Sequence, residues 1–315
     1  MYNKQQKQAY LDYVNNEYKS ENINKLVRSC LNQFSSVEKD YEIDIADADY
    51  ETVQMMLVEG TSGGMANLIT NRTLLKGYVD WTIKTEKTKN ENNYLEMVNI
   101  SSLNLTLPYK SNYTKDYEDL LSYMEIGLSP DQHETIDIVN KLAILMLYVG
   151  VPKKEIFDLK KEDYDDNHKI ITSNGVKYDI SKYDYLVNLL RMDSELDSYS
   201  LSAPRIGTYR RKTFTEYLLS RNTAKRNNDV LLSYIRDAFV SANAIYMTAT
   251  QQRKKLSTQR IYVSGIYNRL YKNELITGQI DYESLYKTSI SNPISEVSKK
   301  TALYNYQMWK KAWFS

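Results

Sequence analysis

The chain carries a single cysteine, Cys30, and only two histidines, His133 and His168, in 315 residues. A disulfide framework is excluded, and a zinc site built from thiolate and imidazole lacks its ligands. No metal and no cofactor is expected. Five prolines and ten glycines leave room for long regular segments. No apolar run reaches 18 residues, and the first ten residues, MYNKQQKQAY, hold no apolar signal core. These absences predict a soluble, cytoplasmic chain with no membrane partner. Tyrosine is abundant instead, at 29 residues, so no single tyrosine is informative by its presence. The excess of Tyr, Asn, Lys and Ile fits AT-rich coding. Hydrophobic content of 42% is that of an ordinary globular protein, and the length predicts two domains.

A net charge of +1 conceals a strong asymmetry. Between Arg205 and Lys272 there are fourteen Lys/Arg against three Asp/Glu, a local excess of eleven, which leaves about −10 for the rest. Two clusters carry it. Arg205, Arg210, Arg211 and Lys212 are interleaved with Tyr209, Phe214 and Tyr217, and Arg253, Lys254 and Lys255 precede Arg260. A single charge run is ordinarily a solvated surface; two in one segment, taken with the family resemblance drawn below, point to nucleic acid, and double-stranded DNA is the partner that resemblance implies.

Residues 3–18, 22–39, 47–59 and 64–85 read as helices. Ile23, Leu26, Val27, Cys30, Leu31 and Phe34 repeat at a 3–4 spacing, which makes Cys30 core filler. Asp47 or Asp49 is suited to cap the third helix. Gly60–Gly64 reads as a turn, since no Gly-Lys-Ser/Thr sequel makes it a phosphate cradle. In the fourth helix Asn67, Asn71, Arg72 and Lys76 fall opposite Leu68, Leu75 and Val79. Residues 89–115, polar and Asn-rich, read as a linker, with Leu103, Leu105 and Leu107 alternating as a short extended strand. The second domain then covers 116–315, beginning with a helix from Tyr117.

The densest signal is Ile136–Asp163. Every residue from Leu142 to Val149 is apolar and the run extends back to Ile136, too long for a strand, so it reads as a helix buried on all sides. Gly150 suits the left-handed cap, and Pro152 the first position of a second helix whose inner face is Ile156 and Leu159. Beyond it, Asn174-Gly175 marks a hairpin over 168–180. Residues 182–192 read as a helix, 193–202 as an acidic loop and 229–247 as a helix. The last helix carries Ala302, Tyr306, Trp309 and Trp313 on one face.

The apolar helix, Leu147-Tyr148-Val149-Gly150 and the spacing of Glu155, Ile156, Leu159 and Asp163 resemble the first signature of the tyrosine recombinase (phage integrase) family. The resemblance implies a mainly α fold with a small β-sheet: a helical, SAM-like core-binding domain over 1–88 and a catalytic-like domain over 116–315. It implies that Asn67, Asn71, Arg72 and Lys76 lie on a DNA clamp. The family's first catalytic arginine falls where this chain has Pro152. Its catalytic lysine follows the hairpin turn, where Lys177 is nearest. In its second signature only Arg260 is kept, with Ser257 and Ile261 at the histidine positions. Tyr304 or Tyr306 falls near the nucleophile, as a vestige.

Recombination needs a hydroxyl nucleophile, guanidinium clamps and acid–base groups on one phosphate. With those positions altered, no catalytic residue is assigned. The chain is most similar to the recombinase-fold lysogeny repressors of SPβ-type temperate phages. That likeness implies a repressor on operator DNA in a bacterial host cell, with a regulatory protein as a second partner. The alternatives are an active integrase with a divergent site and a protein-interaction module.

Overall fold

The computed structural model describes residues 1–61, 65–128, 134–200, 209–220, 227–281 and 296–315. The chain is mainly helical with two small sheets, and it divides into two compact units. The first comprises Met1–Pro108 with Val297–Met308, the second Tyr109–Glu296 with Trp309–Ser315.

In the first unit the four expected helices form: α1 (Lys4–Tyr18), α2 (Glu21–Tyr41), α3 (Tyr50–Gly60) and α4 (Met65–Lys84). Ser20 caps α2 by accepting from Ile23 N, and Asp49 caps α3 by accepting from Thr52 N at 2.8 Å. Val27, Cys30, Leu31, Phe34 and Val37 of α2 are buried, whereas Ile23 and Leu26, expected on the same face, are exposed in its first turns. Burial pushes the Cys30 thiol up to about 12, as befits core filler. Gly60 is required by packing, since a Cβ there would meet the Phe34 ring at 2.5 Å. Residues 62–64 of the expected turn lie outside the described residues.

The stretch read as a linker from residue 89 is packed into the first unit as far as Pro108. The short helix α5 (Tyr94–Met97) buries Leu95, and Val98 follows it into the core. The asparagines fasten it: Asn90 Nδ2 donates to the carbonyls of Ala46 and Ala48, and Asn93 Nδ2 donates to Lys76 O and Asp80 Oδ1. Side-chain amides thus satisfy backbone groups that a loose linker would leave to water. Leu103 and Leu105 pack against the core without forming a strand, and Leu107 opens α6 (Leu107–Asn112).

At the centre of this unit lies a buried ionic network. Lys7, fully buried, donates to Glu38 and lies 3.9 Å from Asp44. Tyr78 Oη and Asn3 Nδ2 donate to Asp44, and Ile45 N donates to Glu38. Burial outweighs Lys7 and pushes the Glu38 carboxyl up to about 7.

The second unit is built on α8 (Glu134–Val149), with no residue from Leu142 to Val149 more than 6% exposed. Gly150, at φ +109°, ends it. Gly150 N donates to Leu147 O and Val151 N to Met146 O, the paired bonds of a Schellman cap. The second helix expected after Pro152 does not form. Lys153–Asp158 makes successive turns, because Leu159 and Lys161 are drawn into pairing with a distant segment through Leu218 N–Leu159 O and Lys161 N–Glu216 O. Ile156 and Leu159 are buried nonetheless.

Around α8 stand α7 (Tyr117–Leu128), α9 (Asp184–Glu195), α10 (Asn228–Thr250) and α11 (Thr258–Thr277). The hairpin forms as β2 (Ile170–Ser173) and β3 (Val176–Asp179), with β1 (Tyr164–Asp165) antiparallel to β2. Asn174 and Gly175 both take positive φ at the turn. A second sheet, where a loop was expected, pairs β4 (Ser198–Ser200) with β5 (Tyr209–Arg211). The last helix, α12 (Glu296–Phe314), contributes to both units. Among the described residues no helix is long and apolar enough to cross a membrane.

The Glu38 carboxyl, raised from about 4.5 to about 7, stabilises the fold when protonated; that contribution is lost as pH rises through about 7. The first unit should therefore lose stability between about pH 5 and pH 7, and Glu38→Gln should flatten the profile. Thermal melts across this range check it, and equal slopes in the two proteins would refute it.

Candidate nucleic-acid interface

The described residues of the basic segment belong to the second unit. Its described cations divide into those that face inward and those that face solvent. Lys212 is 6% exposed and its ammonium donates to Asp193 Oδ1 at 2.6 Å and Asp193 O at 3.1 Å. It is therefore a buried structural cation, not the phosphate contact expected of it. Burial raises the Asp193 carboxyl although Lys212 opposes the shift. Lys254 is corrected in the same way: its ammonium lies 3.2 Å from Asp119 Oδ2 and 5.2 Å from the Trp313 ring centre.

Arg253 and Lys255 are half-buried. Lys255 N donates to Ser111 O, which fastens the stretch to the start of the second unit. Arg260 is half-buried, and one of its amino groups donates to Lys255 O. Burial lowers the pKa of both Arg253 and Arg260, with Tyr113 beside Arg260 acting the other way. Arginine stays charged at such sites, and a desolvated guanidinium gains more from an anion than one in water. Arg211 is exposed on β5. The backbone of Arg210 lies in the same strand, while its side chain and the whole of Arg205 lie outside the described residues.

Ser257 is the N-cap of α11, accepting from Arg260 N at 3.4 Å, and Ile261 is fully buried. Lys177 is exposed on β3, paired with Thr172. Strand alternation puts Ile171, Ser173 and Tyr178 on the inner face and Lys177 on the other. His168 sits at the β1–β2 turn, bonded to Asp165 at 2.6 Å, and His133 lies outside the described residues.

A polar cluster at the end of α8 is one that the sequence reading does not identify. Arg269 donates from Nη1 to Tyr148 O at 2.6 Å, and a Cβ on Gly150 would meet its Nη2 at 2.9 Å. Ser173 donates to Glu155 at 2.5 Å, and the half-buried Tyr178 and Tyr262 both feel Arg269 and Glu155. Burial raises both phenols, Glu155 raises them further and Arg269 opposes it. One sequence signal points here: Gly265 and Arg269 share a helix face at i, i+4 spacing.

In the first unit the expected clamp residues are largely engaged. Asn71 is buried, bonding Thr61 Oγ1. Arg72 donates to the carbonyls of Leu95 and Glu96, and Lys76 pairs with Glu96 at 2.5 Å. Arg72 and Lys76 thus fasten α5 to α4, and Asn67 is exposed. Tyr304 is half-buried with its phenol raised by burial; Tyr306 is fully buried, and both fall in the part of α12 grouped with the first unit.

No protein-family model and no curated protein matches the chain. Solved structures similar to it include two recombination enzymes. A crystal structure of XerA recombinase has a TM-score of 0.41 and 14% identity, over 98% of this chain and 97% of that one. The Tn1549 transposon integrase, solved with a circular intermediate DNA, has a TM-score of 0.36 and 8% identity, over 96% and 94%. At these scores neither likeness assigns a role to any residue.

Lys212→Met leaves Asp193 buried without its cation and should cost about 3–5 kcal/mol. Arg236→Gln, at an exposed position of α10, should change stability by less than about 0.5 kcal/mol. Urea unfolding of both variants checks the contrast, and equal midpoints would refute the division into inward and outward cations.

Proposed function

We propose that the chain is a sequence-specific duplex-DNA-binding protein with a recombinase-like layout and no strand-transfer activity, serving as a prophage repressor that maintains lysogeny. The observation that carries this reading is the residue set at the positions aligned with the family's catalytic groups. Pro152 offers no charge and no donor, Ser257 is engaged as a helix cap, and Ile261 is an apolar core residue. Loss of a single phosphate-stabilising donor costs on the order of 10²–10³ in rate, and several of these aligned positions lack their group. Arg260 is kept, half-buried and still cationic, which suits holding a phosphate without cleaving its ester.

Affinity for DNA then rests on the segment from Arg205 to Lys272, through the cations that reach solvent. Lys153, Lys154 and Lys177, all exposed, extend the positive surface of the second unit. Operator sites are the DNA partner under this reading, and release from them falls to a regulatory protein.

Two measurements test the proposal. Binding to duplex DNA from the chain's own genomic neighbourhood should weaken with salt at a log–log slope of about −0.9 per phosphate contact, and Arg211→Gln should reduce that slope by about one contact. Incubation with nicked or half-site DNA from the same locus should yield no covalent adduct under denaturing electrophoresis. An adduct abolished by Tyr304→Phe or Tyr306→Phe would replace this reading with that of an active integrase. Absence of DNA retention even at low salt would favour a protein-interaction module.

A further inference from the structure

Among the described residues of the second unit a cavity of about 270 Å³ lies between the Lys161 turn, the end of α9 and the segment after β5, lined by Tyr164, Leu190, Asp193 and Leu218 with Arg191 and Lys161 at its polar side. Its floor is apolar, with Leu190 and Leu218 buried. Its charges sort themselves in pairs. Asp193 is held by Lys212; Asp166 is held by Arg191 through two bonds of 3.1 and 3.2 Å and by Lys169 at 2.9 Å. Tyr164 Oη also donates to Asp166. Nearby Glu162 faces Lys160 at 3.4 Å, and Asp163 accepts from Lys160 N. Lys161 remains: it is exposed and forms no ion pair among the described residues. The charges of the lining balance, Lys161 and Arg191 against Asp166 and Asp193, and Lys161 acts on Asp193 from a distance; because Asp166 and Asp193 are already held by Arg191, Lys169 and Lys212, Lys161 is the lining cation left to meet an anion. The volume is close to that of the smallest ligand sites, about 300 Å³.

The cavity wall is also joined to the basic segment. Asp193 holds the Lys212 ammonium, and Lys212 N donates to Asp197 O at the base of the β4–β5 pair. Lys212 directly follows Arg210 and Arg211 in the chain, so whatever shifts Asp193 shifts the strand that carries them.

We propose that this cavity is an effector site for a compact hydrophobic carboxylate, its acid group on Lys161 and its apolar body on Leu190 and Leu218, and that occupancy alters DNA affinity through the Asp193–Lys212 pair. The coupling half rests on the DNA-binding reading above; the binding half does not. Such an anion could be a free small acid or the carboxyl end of a peptide, and the shared chemistry is the same.

The test uses the full chain with N-acetyl-leucine, its neutral amide, and a short peptide ending in leucine. Ligand-detected NMR should show saturable millimolar binding of the acid or the peptide, with the amide about tenfold weaker. The tighter of the acid and the peptide identifies the source. Lys161→Gln, an exposed substitution, should abolish the preference for acid over amide. Ser194→Phe, at the exposed edge of the cavity, should abolish binding altogether. No binding of either carboxylate, or binding unaffected by both variants, overturns the site. Saturating carboxylate should also change DNA retention several-fold in the unsubstituted protein and not in Ser194→Phe. Binding without that change overturns the coupling. If the protein retains no DNA at all, the DNA-binding reading fails, and the binding arm still decides the site.

Discussion

The second unit depends on one close contact, that of Gly265 in α11 with the carbonyl of Tyr148 at the end of α8. A Cβ at Gly265 would overlap that oxygen, so no other residue allows the two backbones to approach this far. Because Leu142–Val149 has no polar side, that part of α8 must be enclosed all round, and this crossing closes one side of it. The same carbonyl accepts from Arg269, one turn after Gly265, which places a cation at the negative end of α8. The Schellman cap at Gly150 then sets the direction in which the chain leaves toward Pro152, Glu155 and the inner face of the hairpin.

Local signals in the sequence are sufficient where local interactions decide the structure. The four first-unit helices, α8, the Gly150 cap and the Asn174-Gly175 turn all rest on spacing or on a backbone conformation that few residues adopt. Segments governed by distant partners are not legible in this way. Pro152–Leu159 has the pattern of a helix, yet the pairing of Leu159 and Lys161 with Leu218 and Glu216 prevails. The second sheet leaves little trace in the sequence because its strands are three residues long and do not follow one another directly in the sequence. Residues 89–108 mislead for a different reason. Polar composition ordinarily marks a loop, but here Asn90 and Asn93 donate to backbone carbonyls of the helical core and hold the stretch against it.

The candidate site shows the same limit. Counting charges locates the basic segment but cannot say which cations have internal partners. The partner of Lys212 lies 19 positions away and that of Lys254 lies 135 away, both outside the basic segment. Part of the charge asymmetry is therefore neutralised within the fold by Asp193 and Asp119. The positive surface is smaller than the composition indicates, and more of the segment's charge serves to hold the second unit together.

The division of α12 between the units bears on how the protein is made. Val297–Met308 belongs to the first unit but follows nearly all of the second in the chain. During synthesis from the N-terminus, residues 1–108 leave the ribosome long before the helix that joins their cluster. The first unit therefore waits, incomplete, while the second is translated. Its early form must rely on the α1–α4 core and the Lys7 network, and a stretch of helix made late completes the part made early.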